Sequence, residues 1–368
     1  MEKTSGGKQS LFLARRQALA QRLKARQIRG LVVSDPSNLF YLTGFRGSAG
    51  LAYLEAKAAI LWVDPRYTLQ ARGQAQGVEV AEVRIGLTQF AGCWLSRNSC
   101  GRVGFEDTHL SQKNFSLLRE AAGGKLIWVP SGSVARALRA VKDEMEIEAI
   151  RRACELTGKV FQSVKSTIRP GVRELDLAAE MEYRMKREGA EGPAFETIVA
   201  SGPRTALPHA RPSSKLLEEG DLVILDLGAI LSGYCSDLTR TLFCGRPSAR
   251  IRRLYKGVRA AQLKAIEGVF AGVKAEEVDG LARRELAARR LDKYFTHSTG
   301  HGVGIEIHEE PKIARREAVK LQPGNVITIE PGVYVEGLGG VRIEDTLLVT
   351  REGCQLLTPS PKDDWMID

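Results

Sequence analysis

Hydrophobic and polar positions change period several times along the chain. Leu11, Leu19 and Leu23, interspersed with Arg and Lys, predict an amphipathic surface helix. Short apolar runs follow. Leu31–Val33 reads as a strand ended by the turn Asp35-Pro36-Ser37-Asn38. Ile60–Asp64 reads as a second strand, followed by Pro65 and the helix-like TLQARGQAQ. Val103–Phe105 and Leu126–Val129 supply two more. Strands alternating with helical stretches predict a small α/β domain over residues 1–140.

The pattern then lengthens. Acidic Asp143, Glu144 and Glu146 precede Ile147, Ile150, Leu156 and Val160, with Arg151 and Arg152 further on, as a helix dipole favours. Pro170-Gly171 ends this helix, and a second runs over LDLAAEMEYRMKREG to Gly189. From residue 195 strands and turns dominate, interrupted by a helical stretch over roughly 248–292. The domain over 141–368 is therefore α+β, with helices covering a largely antiparallel sheet.

Composition narrows the class. The 368 residues are 43% hydrophobic and 27% charged, which suits two globular domains. No apolar run approaches the length of a membrane span, and the N-terminus lacks the apolar core of a signal peptide. Six cysteines, none in a CxxC pair, suggest reduced structural thiols and a cytoplasmic location rather than a disulfide framework. The formal charge of +10 is spread among acidic residues, with no basic run interleaved with aromatics. That argues against nucleic-acid binding.

The chemistry concentrates late in the chain. Four of the five histidines lie between His209 and His308, in the stretch that also holds Asp226, Asp237, Glu330 and Glu344. Each carboxylate sits inside an apolar or glycine-bounded segment, where burial is costly without a compensating positive charge. Asp226 lies in the apolar run Leu222–Leu227, and Asp237 in the returning strand beyond the turn Ser232-Gly233. A hairpin centred on 231/232 would put the two aspartates directly opposite, with Cβ atoms about 5 Å apart. The alternative for either is a solvated strand residue or a turn cap. Glu330 and Glu344 lie on the two arms of a second, glycine-rich hairpin.

Gly300, Gly302 and Gly304 surround His301 and allow close backbone approach or unusual torsions. The GxGxG spacing is not the GxGxxG of a dinucleotide loop, and no helix-forming stretch follows. One imidazole with four carboxylates is a hard, oxygen-rich donor set. Two divalent ions would balance the four negative charges and, roughly 3.5–4 Å apart, could drive hydrolysis at neutral pH. The residues alone thus point to a dinuclear metallohydrolase.

At these residues the chain resembles a known family. ILDLGA, YCSDLTRT, HSTGHGVGIEIHE, TIEPGVY and GGVRIEDT are similar to the five metal-site segments of the pita-bread metallopeptidases. That family includes aminopeptidase P, prolidase and methionine aminopeptidase. SDPSNLFYLTGFRGSAG resembles the creatinase-type N-terminal domain of the proline-directed branch. The resemblance implies a creatinase-like domain over 1–140 and a pita-bread catalytic domain over 141–368. It implies that Asp226 binds one metal, Asp237 and Glu344 bridge both, and His301 and Glu330 complete the second. A bridging hydroxide would be the nucleophile, with Glu330 handling its proton and His308 stabilising the tetrahedral intermediate. His209 and His297 would contact substrate, the latter at the proline, and Arg342 would orient the carboxylates.

The activity so implied is an Xaa-Pro aminopeptidase using two divalent ions per subunit, Mn²⁺ or alternatively Co²⁺ or Zn²⁺. Its partners would be short peptides with proline second, and a second copy in a homodimer. The absence of large insertions favours the aminopeptidase over an Xaa-Pro dipeptidase. The dipeptidase would need a group for the substrate's terminal carboxylate, for which Arg46, Arg66 and Arg204 are candidates. A non-catalytic peptide-binding relative is a further alternative, opposed by the intact ligand set.

Overall fold

Asp35 accepts a hydrogen bond from the Ser37 amide at 2.9 Å, and Pro36 occupies the first helical turn, so Pro36–Thr43 is a helix closed by Gly44 at φ 83°. Asp35-Pro36-Ser37-Asn38 therefore starts a helix rather than forming a free turn. An N-cap followed by proline has that effect because the first amides need no intrahelical partner. The computed structural model describes residues 3–56, 58–358, 360–362 and 366–367. Internal packing divides the chain into two units, Met1–Arg139 and Ala140–Asp368.

The first unit is built on a mixed sheet. Its strand order is Glu79–Glu82, Ala59–Val63, Leu51–Glu55, Gly30–Val33, Gly101–Phe105, Leu126–Pro130. The central Gly30–Val33 strand pairs antiparallel with Leu51–Glu55 and parallel with Gly101–Phe105. The helix Lys3–Ala25 is less of a surface helix than its leucines suggest. Leu19 and Leu23 are buried, but so are Arg15 and Arg16. Arg15 donates to the Tyr41 carbonyl, and Arg16 to those of Leu42, Gln76 and Gly77. Those bonds allow two guanidinium groups on the buried face.

The second unit opens with Glu144–Lys165. Asp143 accepts from the Glu146 amide at 3.0 Å, and Glu146 returns a bond to the Asp143 amide at 3.2 Å, which is a capping box. Together with Glu174–Arg187 this helix packs on one core that includes Val223, Leu225, Leu227, Leu238 and Leu242. The helices Ala249–Glu267 and Ala275–Ala288 pack on a second core with Ile327, Ile329 and Leu347. Two helix pairs thus each cover sheet surface.

One sheet runs Met366–Ile367, Leu238–Cys244, Leu222–Leu227, Ile198–Ser201. A five-stranded sheet runs Glu309–Ile313, Gly300–Gly302, Val326–Ile329, Asp345–Val349, Cys354–Leu356. Pairing is antiparallel throughout both, apart from the parallel contact of Met366–Ile367 with Leu238–Cys244. The hairpin of Gly332–Val335 with Gly339–Arg342 completes the strands that carry candidate residues.

Candidate metal centre

The first hairpin has a different register from the one predicted. Ser232 and Gly233 both adopt positive φ, 52° and 81°, so the two-residue turn is centred between them. Leu231 then pairs with Tyr234, and Asp226 with Thr239 rather than with Asp237. Asp237 lies just before the Leu238–Cys244 strand, on the diagonal of Asp226 instead of directly opposite. Its backbone carbonyl accepts from the Thr346 hydroxyl at 2.9 Å, which fixes it against the neighbouring sheet.

The second hairpin does place its carboxylates opposite one another. Ile329 pairs with Asp345 and Gly332 with Arg342, so the intervening Glu330 and Glu344 face across the ladder. The strand bearing His301 is pressed against this ladder. A Cβ on Gly300 would lie 2.0 Å from the Thr328 carbonyl oxygen, and one on Gly302 would lie 2.3 Å from that of Glu310. Both glycines serve close approach; neither has a left-handed torsion.

These elements converge. His301 Nε2 lies 3.4 Å from Glu330 Oε1 and 3.6 Å from Asp237 Oδ2. Ligand atoms of Asp237, His301 and Glu344 all fall within 4.8 Å of one another. His301 Nδ1 lies 2.9 Å from the Gly302 carbonyl, which can only accept, so the proton sits on Nδ1 and the Nε2 lone pair faces the carboxylates. Thr239 donates to Glu344 Oε2 at 2.7 Å, and Thr328 donates to Glu330 Oε1 at 3.3 Å.

Arg342 is the principal cation among these groups. Nη2 donates to Asp226 Oδ2 at 2.6 Å and Nε to the Thr239 hydroxyl at 3.2 Å. Nη1 reaches the Tyr334 hydroxyl at 2.9 Å and the Pro208 carbonyl at 3.0 Å. Tyr334 in turn meets His297 Nε2 at 2.9 Å, while His297 Nδ1 faces the Ser298 carbonyl at 2.7 Å. His308 packs edge-on to His301, with ring centroids 4.4 Å apart. His209 is exposed, and its charge is among the causes that lower the pKa values of His297 and His308.

Burial and like charge dominate the electrostatics. Desolvation, then the charges of Glu344, Asp226 and Glu330, hold Asp237 well above the usual carboxylate range. Desolvation, then Glu330 and Asp226, do the same to Glu344. Burial pushes Glu330 up to about 8, against the opposing effect of Arg342. Burial lowers His301 and His297 to about 4 each. Without a cation the site therefore favours neutral carboxyls at Asp237, Glu330 and Glu344 and a neutral imidazole at His301.

Its donors fit divalent ions. Asp226 Oδ1 is buried and has no hydrogen-bond partner among the described residues. The neutral imidazole offers a lone pair, and the carboxylates outnumber the neighbouring arginine. That is a hard ligand set with an open valence for metal.

Three hydroxyls escaped the sequence reading: Thr239, Thr328 and Tyr334. Strand alternation points to the first two, since each lies two residues from a candidate carboxylate and shares its face. Tyr334 had no comparable local signal. Other residues have partners of their own. Cys235 is buried, with its thiol directed at the Ile305 carbonyl at 3.4 Å. Arg204 is engaged by Glu174, and Arg66 by Asp64. His109 lies in the first unit, beside the Ser34 hydroxyl.

Residues 148–351, which include every residue assembled in this site, match the model of metallopeptidase family M24. The chain belongs to metallopeptidase family M24. Residues 15–141 match the creatinase/prolidase N-terminal domain, so the architecture is an α/β creatinase-like domain followed by the α+β pita-bread domain of M24. The chain is similar to the Xaa-Pro dipeptidase of Pyrococcus furiosus, 37% identical and covering 95% of this chain and 99% of that one. Its fold is similar to that of the Xaa-Pro dipeptidase from Bacillus anthracis, with TM-score 0.93, 36% identity and coverage of 97% and 100%. It also resembles the X-Pro aminopeptidase from Thermotoga maritima MSB8, with TM-score 0.87, 34% identity and coverage of 94% and 100%. Its fold is similar as well to that of the prolidase from Pyrococcus horikoshii OT3, with TM-score 0.90, 35% identity and coverage of 95% and 99%.

Proposed function

We propose that this M24 metallopeptidase hydrolyses the bond between an N-terminal residue and proline, and that its preferred substrate is the Xaa-Pro dipeptide. The observation that carries the metal-dependent part is the convergence of Asp237, His301 and Glu344 beside the unpartnered Asp226 Oδ1. The dipeptide preference draws its support from the relatives, more of which are described as dipeptidases or prolidases. It reverses the weight that chain compactness gives to the aminopeptidase. That second reading keeps the support of the Thermotoga relative.

In this assignment Asp226, Asp237, His301, Glu330 and Glu344 hold two divalent ions, Mn²⁺ first among Mn²⁺, Co²⁺ and Zn²⁺. The bound ions supply Lewis-acid charge and lower the pKa of water to near neutrality. Glu330, 3.4 Å from His301 Nε2, is the proton-handling residue, as the family resemblance implies. His308, exposed beside His301, donates to the developing oxyanion. His297, held by Tyr334 and the Ser298 carbonyl, and His209 contact the substrate. Arg342 orients Asp226. The proline nitrogen carries no hydrogen, so recognition there depends on shape and on these side chains.

Residues 1–140 are assigned to the creatinase-like domain and 141–368 to the catalytic one. No helix among the described residues is long and apolar enough to cross a membrane. A cytoplasmic homodimer acting on short peptides, with no nucleic-acid or membrane partner, completes the proposal.

The deciding experiment compares hydrolysis of Ala-Pro and Ala-Pro-Ala by Mn²⁺-loaded protein, with Asp237→Asn as control. Cleavage of the dipeptide alone, lost in the control, establishes the dipeptidase. Cleavage of the tripeptide moves the assignment to the aminopeptidase. A metal-loaded protein that cleaves neither sinks the Xaa-Pro reading.

A further inference from the structure

The segment between Ser201 and Ser213, which carries His209, is gathered on one carboxylate. Glu174 opens the Glu174–Arg187 helix and is fully buried. Its Oε1 accepts from the Ser201 amide at 2.7 Å and the Ser201 hydroxyl at 2.9 Å. Its Oε2 accepts from the Ser213 amide at 3.0 Å and the Ser213 hydroxyl at 2.7 Å. Both ends of the segment therefore converge on a single side chain.

Arg204 ties the middle to the same point. Its Nε lies 3.1 Å from Oε2 and 3.3 Å from Oε1, and its Nη2 donates to the Arg211 carbonyl at 2.6 Å. The guanidinium thus links the start of the segment to a residue just beyond His209. On the other side, Thr205 accepts from the Gly340 amide at 2.8 Å, and Pro208 accepts from Arg342. His209 itself is exposed, so its placement comes from how its segment is held rather than from packing of its own ring.

We propose that Glu174 is a positioning residue for substrate recognition: by joining Ser201, Arg204 and Ser213 it fixes the segment that presents His209. The meaning given to His209 rests on the peptidase reading above; the clamp rests on the geometry alone. An ionised carboxylate suits this place because it only accepts and offers about four lone-pair sites. Bonds from amides, hydroxyls and a guanidinium to such a charge are the stronger kind. In Glu174→Gln one oxygen becomes a donor facing either the Ser201 or the Ser213 donors, and Arg204 loses its charge partner.

The test compares metal-loaded wild type, Glu174→Gln, His209→Ala and the double variant. In Glu174→Gln, amide hydrogen exchange should accelerate about tenfold across 202–213, with the rest of the second unit unchanged. Metal stoichiometry should stay the same. KM for the cleaved Xaa-Pro peptide should rise about tenfold while kcat changes less than about threefold. Adding Glu174→Gln to His209→Ala should raise KM no further, because both changes remove one contact. Unchanged exchange in 202–213, acceleration spread evenly over the unit, or KM effects that multiply in the double variant would overturn the proposal. Should Glu174→Gln fail to fold, Arg204→Gln opens the partly exposed half of the clamp and is judged by the same results. Wild type that does not cleave Xaa-Pro peptides at all would refute the substrate reading separately, and the exchange comparison would still decide the clamp.

Discussion

Arg342 donates to one oxygen of Asp226 at 2.6 Å, while the other oxygen stays buried with no hydrogen-bond partner among the described residues. The ion pair orients the carboxylate and leaves a lone pair directed into the site. A group that aims a ligand in this way typically changes metal affinity by about 10- to 100-fold when removed. Arg342→Met should therefore bind Mn²⁺ about 10- to 100-fold more weakly in a calorimetric titration. Affinity equal to wild type would mean that Arg342 does not orient Asp226 for metal.

The metal-free protein should become less stable as pH rises above about 6.5. Glu330 is raised from 4.5 to about 8 by burial, and Asp237 and Glu344 are raised as well. A carboxyl with a raised folded pKa stabilises the fold below its unfolded pKa, and that contribution is lost as pH climbs through the folded value. For Glu330 the window runs from about 4.5 to about 8. Below about pH 6.5 the lowered His301 and His297 oppose this loss, because each buried neutral imidazole gains stability as pH rises from about 4 to 6.5. In EDTA the melting temperature should therefore fall between about pH 6.5 and pH 8. With Mn²⁺ the trend should weaken or reverse, because metal binds the deprotonated ligands. A melting temperature that rises between about pH 6.5 and pH 8 in EDTA would contradict the electrostatics described here.

Gly302 allows the His301 strand to sit against Glu310, whose carbonyl oxygen would lie 2.3 Å from an added Cβ. Backbone cannot swing aside as a flexible side chain can. Gly302→Ala should cost about 1–3 kcal/mol, as overpacking in an ordered core usually does. Chemical denaturation of the metal-free protein reads that loss, and a Mn²⁺ titration should show weaker binding as His301 shifts. Wild-type values in both would show that the strand has room to move.

Local pattern in the sequence determined a good deal. Apolar runs marked Asp226 as a buried strand residue and placed Glu330 at the end of a buried strand, because a strand's burial shows in its own few neighbours. The acidic start of Glu144–Lys165 marked a helix for the same reason: a capping box is a contact over three residues. The glycines around His301 signalled close approach, although the backbone they meet, at Thr328 and Glu310, could not be named.

The backbone of one turn and the tertiary structure decided the rest. The register of Asp226 against Thr239 follows from two left-handed residues, Ser232 and Gly233, and moving the turn centre by one residue changes every cross-strand pair. Arg342 meets Asp226 across 116 residues, and Tyr334 meets His297 across 37. Such partners depend on which strands become neighbours. The sequence by itself determined which side chains were too polar to bury alone; the packing of distant strands decided which group each would face, because that choice is made by the whole core and not by any one segment.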